Sequence, residues 1–314
     1  MDEIMNNQKT YPIGTPGKKW GEQEKATWYD SQVIRRSYAD EVISRLEVLK
    51  DRFDIEQYGE LSCSPGRYPL YLVKSLRQDR NRAGILITGG VHGYETSGVQ
   101  GAIRFLKTRA QDYVGQFNIF VAPCVSPWGF ETINRWNPAA LDPNRSFYED
   151  SPSEESAALL ALLRSQEMNL IAHVDLHETT ETDNTEFRPA LAARDAVKHE
   201  NWHIPDGFYT VGDTLKPEPG FQKAIIDSVA KVTHIAPPDD SGKIIGENLE
   251  QRGVINYAAS ELGLCMGMSQ ATYVTTTEVY PDSPYVDDET CIRAQVAAVS
   301  GALDYIITRA SLAN

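Results

Sequence analysis

Two residues three positions apart, His92 and Glu95, could bind a metal ion together. They lie in residues 89–95, after the apolar run 83–88, which predicts a buried strand, and before residues 96–109, whose apolar spacing predicts a helix. Open α/β sheets bind ligands in the loops at the carboxyl ends of their strands. An imidazole nitrogen and a carboxylate oxygen suit zinc when a third ligand comes from elsewhere in the chain. The spacing alone does not distinguish such a site from an ordinary loop.

The candidate third ligand is His177. The run His-Val-Asp-Leu-His at 173–177 predicts a strand on which alternate residues share one face, and His177 is its last residue. It would therefore lie at the same edge of the sheet as His92. Two histidines and one glutamate leave a coordination position open, as in catalytic zinc sites. His173 and Asp175 are predicted to form a polar pair beneath the site.

A metal-assisted hydrolysis also requires a general base, and Glu278 is the candidate. It lies in the β-branched segment 273–279, which predicts a strand, and no neighbour in the sequence neutralises its charge. The alternative is a strand glutamate that simply faces solvent.

The segment 126–148 is rich in Trp, Asn, Pro and Arg and is predicted to be a long functional loop. Arg135 could stabilise an oxyanion. Arg145, next to Asn144, could bind a carboxylate in bidentate fashion. The alternative for both arginines is pairing with surface acids.

The composition limits the possible partners. The chain has 314 residues, 41% of them apolar and 24% charged, with a net charge of −14 and a pI near 4.9. This charge argues against nucleic acid and anionic membranes as partners, so an anionic substrate would depend on local arginines. Neither a signal sequence nor an 18-residue apolar run is visible, which predicts a cytoplasmic protein without a membrane span. The scattered cysteines show no metal-site spacing and are predicted to be buried free thiols, with disulfides as the alternative: Cys63, Cys124, Cys265 and Cys291.

Strand and helix patterns alternate along the chain, which predicts an α/β sheet covered on both faces. Residues 1–36 are predicted to form an N-terminal extension, and residues 37–314 a single catalytic domain. The predicted helices are 37–52, 96–109, 153–165, 221–233 and 287–309. The predicted strands are 55–61, 68–74, 83–88, 117–122, 169–176, 208–211 and 273–279. The rest of 181–220, and 234–256, are predicted to be loops.

Taken in order, these residues resemble the zinc carboxypeptidase family, the group of carboxypeptidase A, and its relatives aspartoacylase and succinylglutamate desuccinylase. The resemblance covers residues 38–314 and implies a mixed, twisted, roughly eight-stranded sheet with helices on both faces. It implies one Zn²⁺ per chain, with roles that follow by position. The zinc ligands would be His92, Glu95 and His177, with Asp142 supporting His92. The catalytic glutamate would be Glu278, and Arg135 would polarise the scissile carbonyl. Asn144 and Arg145 would hold the substrate carboxylate, and Tyr257, with Tyr273 and Tyr280 as alternatives, would close over the substrate.

Three features depart from the carboxypeptidase pattern. Pro143 and Glu178 replace an apolar and a small polar residue, and the interval between His92 and His177 is short, closer to that of the deacylases. The long chain, the segment 58–67 and Tyr257 nevertheless favour a metallocarboxypeptidase that cleaves the C-terminal peptide bond. The alternative, supported by the short interval and by the segment 277–281, is a deacylase of N-acyl amino acids. Either substrate would carry a free carboxylate. A third hypothesis is an inactive, metal-holding binding module. The specificity pocket is expected between residues 248 and 273. The alternative for the apolar Leu/Met cluster in that segment is packing in the hydrophobic core. No oligomeric state follows from the sequence.

Overall fold

The computed structural model describes residues 11–166, 168–199 and 202–313, so the first ten residues of the predicted extension lie outside it. Ten strands are present in this part of the chain: β1 (Phe53–Glu60), β2 (Pro69–Ser75), β3 (Gly84–Gly89), β4 (Asn118–Ala122), β5 (Leu170–Glu178), β6 (Tyr209–Asp213), β7 (Lys243–Ile244), β8 (Glu247–Asn248), β9 (Val254–Tyr257) and β10 (Tyr273–Val279).

Eight of these strands form one mixed sheet in the order β1-β2-β4-β3-β5-β10-β6-β9, while β7 and β8 form a separate small hairpin. The four central strands β4, β3, β5 and β10 are parallel. On one side β1 and β2 are added as an antiparallel hairpin, and on the other β6 is antiparallel to β10 and parallel to β9. The predicted fold class, a mixed sheet of about eight strands, is confirmed.

Helices connect and cover the strands: α1 (Glu22–Asp30), α2 (Ser44–Glu47), α3 (Thr96–Thr108), α4 (Pro127–Thr132), α5 (Glu154–Ser165), α6 (Arg188–Asp195), α7 (Pro219–Val229) and α8 (Asp288–Ala313). Two π-helical turns, Ala39–Ile43 and Asp183–Phe187, lead into α2 and α6. Short 3₁₀ turns occupy Ala110–Asp112, Pro143–Arg145 and Cys265–Met268.

Both faces of the sheet carry a hydrophobic core, because alternate strand residues point to opposite sides. Ile85 and Ile87 of β3 pack in one core, which includes Val99 of α3. Leu86, between them, packs in the other core against Leu159 of α5. Strand β3 is therefore apolar on both faces, as its unbroken hydrophobic run predicts.

Several element predictions were wrong in detail. The expected loop 126–148 contains α4, whose six residues are all buried, so the segment has no polar side to produce a helical periodicity. The expected loop 181–220 contains α6, which buries only Ala190 and therefore has little apolar pattern. The expected helix 37–52 ends at Glu47 and begins as a π turn.

The described part of the N-terminal segment packs on the main core. Trp28 is buried, with ring centroids 5.8 Å from Trp128 and 5.5 Å from Trp136, and Trp20 lies 6.1 Å from Trp136. The division into an extension (1–36) and a catalytic domain (37–314) stays a prediction.

Two bulk predictions can be compared with the fold. All four cysteines are free thiols; Cys63 is partly exposed and the other three are buried. Within the described residues, no helix has the length and apolar character needed to cross a membrane.

Candidate active site

The three predicted metal ligands come together at the carboxyl edge of the sheet. His92 and Glu95 lie in the loop between β3 and α3, and His177 is near the end of the adjacent strand β5. One ligand atom from each of the three residues lies within 4.8 Å of the others. All three side chains are at most 2% exposed, so the surrounding packed residues fix their positions even though two of the three lie in a loop.

The loop that carries His92 and Glu95 depends on glycines. Gly90 has a φ of +60°, a conformation that glycine adopts without steric cost. Gly93 lies against the backbone of Gly129 and Phe130, which a Cβ atom would overlap. The glycines in 89–93 thus allow the loop to turn directly beneath α4.

Both imidazole rings present Nδ1 to the same carboxylate. His92 Nδ1 lies 2.7 Å from Glu95 Oε1, and His177 Nδ1 lies 2.8 Å from Glu95 Oε2. The outer nitrogens contact further carboxylates: His92 Nε2 lies 3.0 Å from Asp142 Oδ1, and His177 Nε2 lies 2.8 Å from Asp175 Oδ2. A metal-binding histidine commonly donates its second N–H to a carboxylate in this way.

The donor set therefore fits a divalent metal. Two imidazole nitrogens and a carboxylate converge, each ring is oriented by a second acid, and a fourth position is left for substrate or water. Burial acts to raise the pKa of Glu95, but His177 and His92 outweigh it and hold the pKa at about 2. Burial also acts to lower the pKa of His177, but Asp175 and Glu95 raise it well above its ordinary value. The surrounding field strongly favours positive charge at this point.

Glu278 lies beside the ligands on β10, where it is the registered partner of His177 on β5. Its carboxylate accepts a hydrogen bond of 2.8 Å from Thr179 Oγ1, which itself lies 2.7 Å from the hydroxyl of Tyr209. Burial is the main cause that raises the pKa of Glu278 to about 8; His177 opposes that shift and Glu95 adds to it. The predicted general base thus lies next to the three candidate metal ligands, and the hydroxyls of Thr179 and Tyr209 fix its orientation.

Arg135 is more constrained than the sequence indicates. Its Nε lies 3.1 Å from Asp142 Oδ2 and its Nη1 lies 3.0 Å from Asp183 Oδ1, and the hydroxyl of Tyr94 donates to the same Asp183 oxygen. Asp142 therefore connects Arg135 to His92. Asp183 was not identified from the sequence because it lies in the π turn Asp183–Phe187, in a segment predicted to be loop.

Asn144, Arg145 and Tyr257 line the cavity of about 470 Å³ that also contains His92, Glu95 and Glu278. Asn144 is buried and its Oδ1 accepts from the backbone N–H of Cys265 at 2.8 Å, whereas the Arg145 side chain is exposed. The other two tyrosines considered from the sequence lie elsewhere. Tyr273 packs on Phe221, and the hydroxyl of Tyr280 donates to Glu181.

The two unusual residues of the sequence have structural roles. Pro143 is the first residue of the turn Pro143–Arg145, a position that needs no N–H donor, and Asp142 caps that turn by accepting from the N–H of Asn144. Glu178 Oε1 accepts from the N–H of Ser97 in the first turn of α3. Both departures thus fit local backbone requirements.

The predicted pair of His173 and Asp175 is not a direct contact. Thr88 Oγ1 lies between them, 2.9 Å from His173 Nε2 and donating to Asp175 Oδ1 at 2.6 Å. Asp175 instead orients His177, a role that the strand alternation could have suggested. The apolar cluster predicted near the pocket is divided: Leu264 lines the cavity but is buried, and Met266 is core.

A larger cavity, of about 1310 Å³, shares Trp136, Glu178 and Phe187 with the cavity of about 470 Å³. None of the three candidate metal ligands lines it, and neither does Glu278. The chemistry of the candidate site therefore belongs to the smaller cavity.

Comparison with known proteins finds one family match over part of the chain and several structures of similar fold. The catalytic-domain model of the succinylglutamate desuccinylase/aspartoacylase family matches residues 82–209. A predicted metallopeptidase from Shewanella amazonensis SB2B superimposes with a TM-score of 0.63 and 20% identity over 87% of this chain and 98% of its own. A metallo-carboxypeptidase from Burkholderia cenocepacia gives a TM-score of 0.59 and 14% identity over 92% of this chain and 70% of its own. Residues 82–209 are therefore similar to this catalytic-domain family, and the chain shares the fold of these metallopeptidase and carboxypeptidase structures.

A second carboxypeptidase structure agrees. The metallo-carboxypeptidase from Pseudomonas aeruginosa, in complex with (2-guanidinoethylmercapto)succinic acid, gives a TM-score of 0.57 and 15% identity over 85% of this chain and 68% of its own. At such identities the structural likeness shows the fold of this chain alone. No curated protein matches the chain significantly. The matched residues 82–209 include all three candidate metal ligands and Arg135, whereas Glu278 and Tyr257 lie beyond them.

Proposed function

We propose that the protein is a zinc-dependent metallocarboxypeptidase that hydrolyses the C-terminal peptide bond of peptides. The observation that carries the proposal is one cavity lined by His92, Glu95, Glu278 and Arg145, next to His177. It combines a metal-binding donor set, a basic carboxylate and a cation for a substrate carboxylate. A zinc ion held by the three ligands would supply the Lewis acid that polarises a carbonyl and acidifies water.

In this proposal Glu278 takes the proton of the attacking water and returns it to the leaving amine. Burial raises the pKa of Glu278, so its ionised carboxylate is a stronger base than that of an ordinary glutamate, which supports the role. The hydrogen bond from Thr179 uses Oε2 and fixes the orientation of the carboxylate.

The remaining residues would position the substrate. Arg145, with Asn144 and Tyr257, would bind the terminal carboxylate and so align the scissile bond. Arg135 would donate to the developing oxyanion. Its ion pairs with Asp142 and Asp183 use two N–H groups of a guanidinium that has five, so donors remain for this purpose.

The second candidate is a deacylase of N-acyl amino acids. It is favoured by the match of residues 82–209 to the succinylglutamate desuccinylase/aspartoacylase catalytic domain. A cavity of about 470 Å³ has room for a small acylated amino acid. The inactive metal-holding module is a third candidate, and the position of Glu278 beside His177 argues against it.

One experiment distinguishes the candidates. Protein loaded with zinc, and checked for bound metal by elemental analysis, is incubated with a peptide library and with a panel of acetylated and succinylated amino acids. The proposal expects release of C-terminal amino acids. Release of acetate or succinate alone would support the deacylase, and inertness toward both panels would support the binding module.

The variant Glu278→Gln tests the assigned base in the same assays. It is expected to reduce turnover by at least ~100-fold, since general base catalysis contributes a factor of that order, while zinc content stays at the wild-type level. Wild-type turnover in this variant would overturn the assignment.

A further inference from the structure

The guanidinium of Arg36 lies between the N-terminal segment and the loop that carries two candidate metal ligands. Its Nε donates to the carbonyl of Phe130 at 2.6 Å, its Nη1 to Thr96 Oγ1 at 2.7 Å and its Nη2 to the carbonyl of Gly93 at 2.7 Å. The side chain also stacks on the ring of Phe130, with Cζ 3.6 Å from the centroid. Arg36 is the last residue of the predicted extension.

Two of these contacts flank a metal ligand directly. Gly93 and Thr96 are the residues on either side of the pair Tyr94–Glu95, and Glu95 is the N-cap residue of α3. The third contact, to Phe130, belongs to α4, whose backbone lies against Gly93. Arg36 therefore links the N-terminal segment to two others, residues 93–96 around Glu95 and α4.

The backbone of Arg36 is itself fixed by hydrogen bonds to α4. The backbone N–H groups of Arg35 and Arg36 both donate to the carbonyl of Glu131, at 2.8 and 3.3 Å. The carboxylate of Glu131 in turn accepts from the N–H of Tyr38 and from Arg67. These bonds fix the chain around residue 36 relative to α4, so the guanidinium meets the ligand loop at a defined point.

The geometry explains why the position suits arginine. A planar guanidinium can donate to three acceptors in different directions at once, whereas a lysine ammonium on a flexible stem cannot match that fork. Without these donors, the carbonyls of Gly93 and Phe130 would lose their charged partner, and the loop would be free to shift. Metal affinity is sensitive to such shifts, because outer residues that orient ligands typically change it by ~10–100-fold.

We propose that Arg36 is a positioning residue for the metal ligands Glu95 and His92, and that the N-terminal segment thereby sets the metal affinity of the site. This rests on the proposed function only in that the cluster of His92, Glu95 and His177 binds zinc. The residue lies outside the part of the chain that matches the catalytic-domain family, residues 82–209.

The test compares full-length Arg36→Met and Arg36→Lys with the matched control Arg35→Met. Arg35 is the adjacent arginine and has an exposed side chain, so its replacement removes the same charge without removing the contacts to the ligand loop. Zinc dissociation constants are measured by competition with a chromophoric chelator, and the melting temperature of each variant is measured with and without zinc.

The expected result is a zinc dissociation constant ~10–100-fold higher in Arg36→Met, a smaller increase in Arg36→Lys, and an unchanged value in Arg35→Met. The increase in melting temperature on adding zinc should be reduced in the same order. If Arg36→Met does not fold, Thr96→Val removes one of the three contacts and should raise the dissociation constant to a lesser extent.

Two results would overturn the proposal, and they are distinguishable. Equal zinc affinity in wild-type protein and the Arg36 and Thr96 variants, even with lowered melting temperatures, would leave Arg36 a purely structural role and leave the proposed function intact. Failure of the wild-type protein itself to bind zinc would overturn both the proposal and the proposed function.

Discussion

Asp142 offers a sharp test of how the metal site is built, through the substitution Asp142→Asn. The carboxylate accepts from His92 Nε2 at 3.0 Å, from the N–H of Asn144 at 2.9 Å and from Arg135 Nε at 3.1 Å. An asparagine of the same shape has one acceptor oxygen. If that oxygen faces His92, the amide N–H₂ faces the guanidinium of Arg135, so one donor meets another.

The magnitude follows from these contacts. Loss of the carboxylate that orients His92 should weaken zinc binding ~10–100-fold, which corresponds to ~1.4–2.7 kcal/mol. Arg135 keeps Asp183 as a partner and is partly exposed, so the additional loss of folding free energy should be about 1 kcal/mol, the low end of the usual cost of an unsatisfied polar group.

Asp175→Asn is the matched comparison, because Asp175 plays the same part for His177. Its other partner is the hydroxyl of Thr88, which can rotate to accept from an amide. Asp175→Asn should therefore weaken zinc binding similarly but lower the free energy of unfolding less than Asp142→Asn does. Chelator competition and urea denaturation of the metal-free proteins measure the two quantities. Unchanged zinc affinity in Asp142→Asn would refute the reasoning.

Two further predictions concern the hydroxyl chain and the pH dependence of stability. Thr179→Val removes the hydrogen-bond donor to Glu278 and should lower kcat about tenfold, with zinc affinity unchanged. Thr179→Ser keeps the hydroxyl and should retain activity. Equal kcat values in the two variants would contradict the positioning role of Thr179. Burial lowers the pKa of His173 to about 4, below its value of about 6.5 in the unfolded chain. The stability contributed by neutral His173 is therefore present above pH 6.5 and is lost as the pH falls to 4, by on the order of 3 kcal/mol. The free energy of unfolding, measured by urea denaturation, should fall less between pH 7 and pH 4.5 in His173→Gln than in wild type. An equal fall in both proteins would argue against a lowered pKa of His173 as a cause of the pH dependence.

The ligands were predictable because strand ends can be read from local patterns. The run before His92 is apolar and short, which is typical of a buried strand in a parallel sheet. The run up to His177 alternates polar and apolar residues, and alternate residues of a strand share one face. The carboxyl ends of parallel strands meet at one edge, so residues that follow the runs meet there as well. Glu278 was predicted from the β-branched segment 273–279 and from the family resemblance, and the structure places that strand, β10, beside β5.

The residues that surround the ligands were not predictable to the same degree. Asp183 reaches Arg135 across 48 positions of sequence, and Thr179 reaches Glu278 across 99. Neither has a local pattern, because one lies in an irregular turn and the other in a polar stretch after a strand. Arg36 is comparable, as its three acceptors lie 57 to 94 positions away.

By itself the sequence determined the α/β alternation, the strand ends that carry His92, Glu95, His177 and Glu278, and the free thiols, because each follows from local periodicity and residue type. The mixed, roughly eight-stranded sheet was implied by the family resemblance. Only the tertiary structure decided that Asp175 orients His177, how Arg135 is shared between Asp142 and Asp183, and that the N-terminal segment contacts the ligand loop. The physical reason is that hydrogen bonds of buried side chains depend on distances between elements. Those distances are set by packing over the whole sheet, and no local pattern contains them.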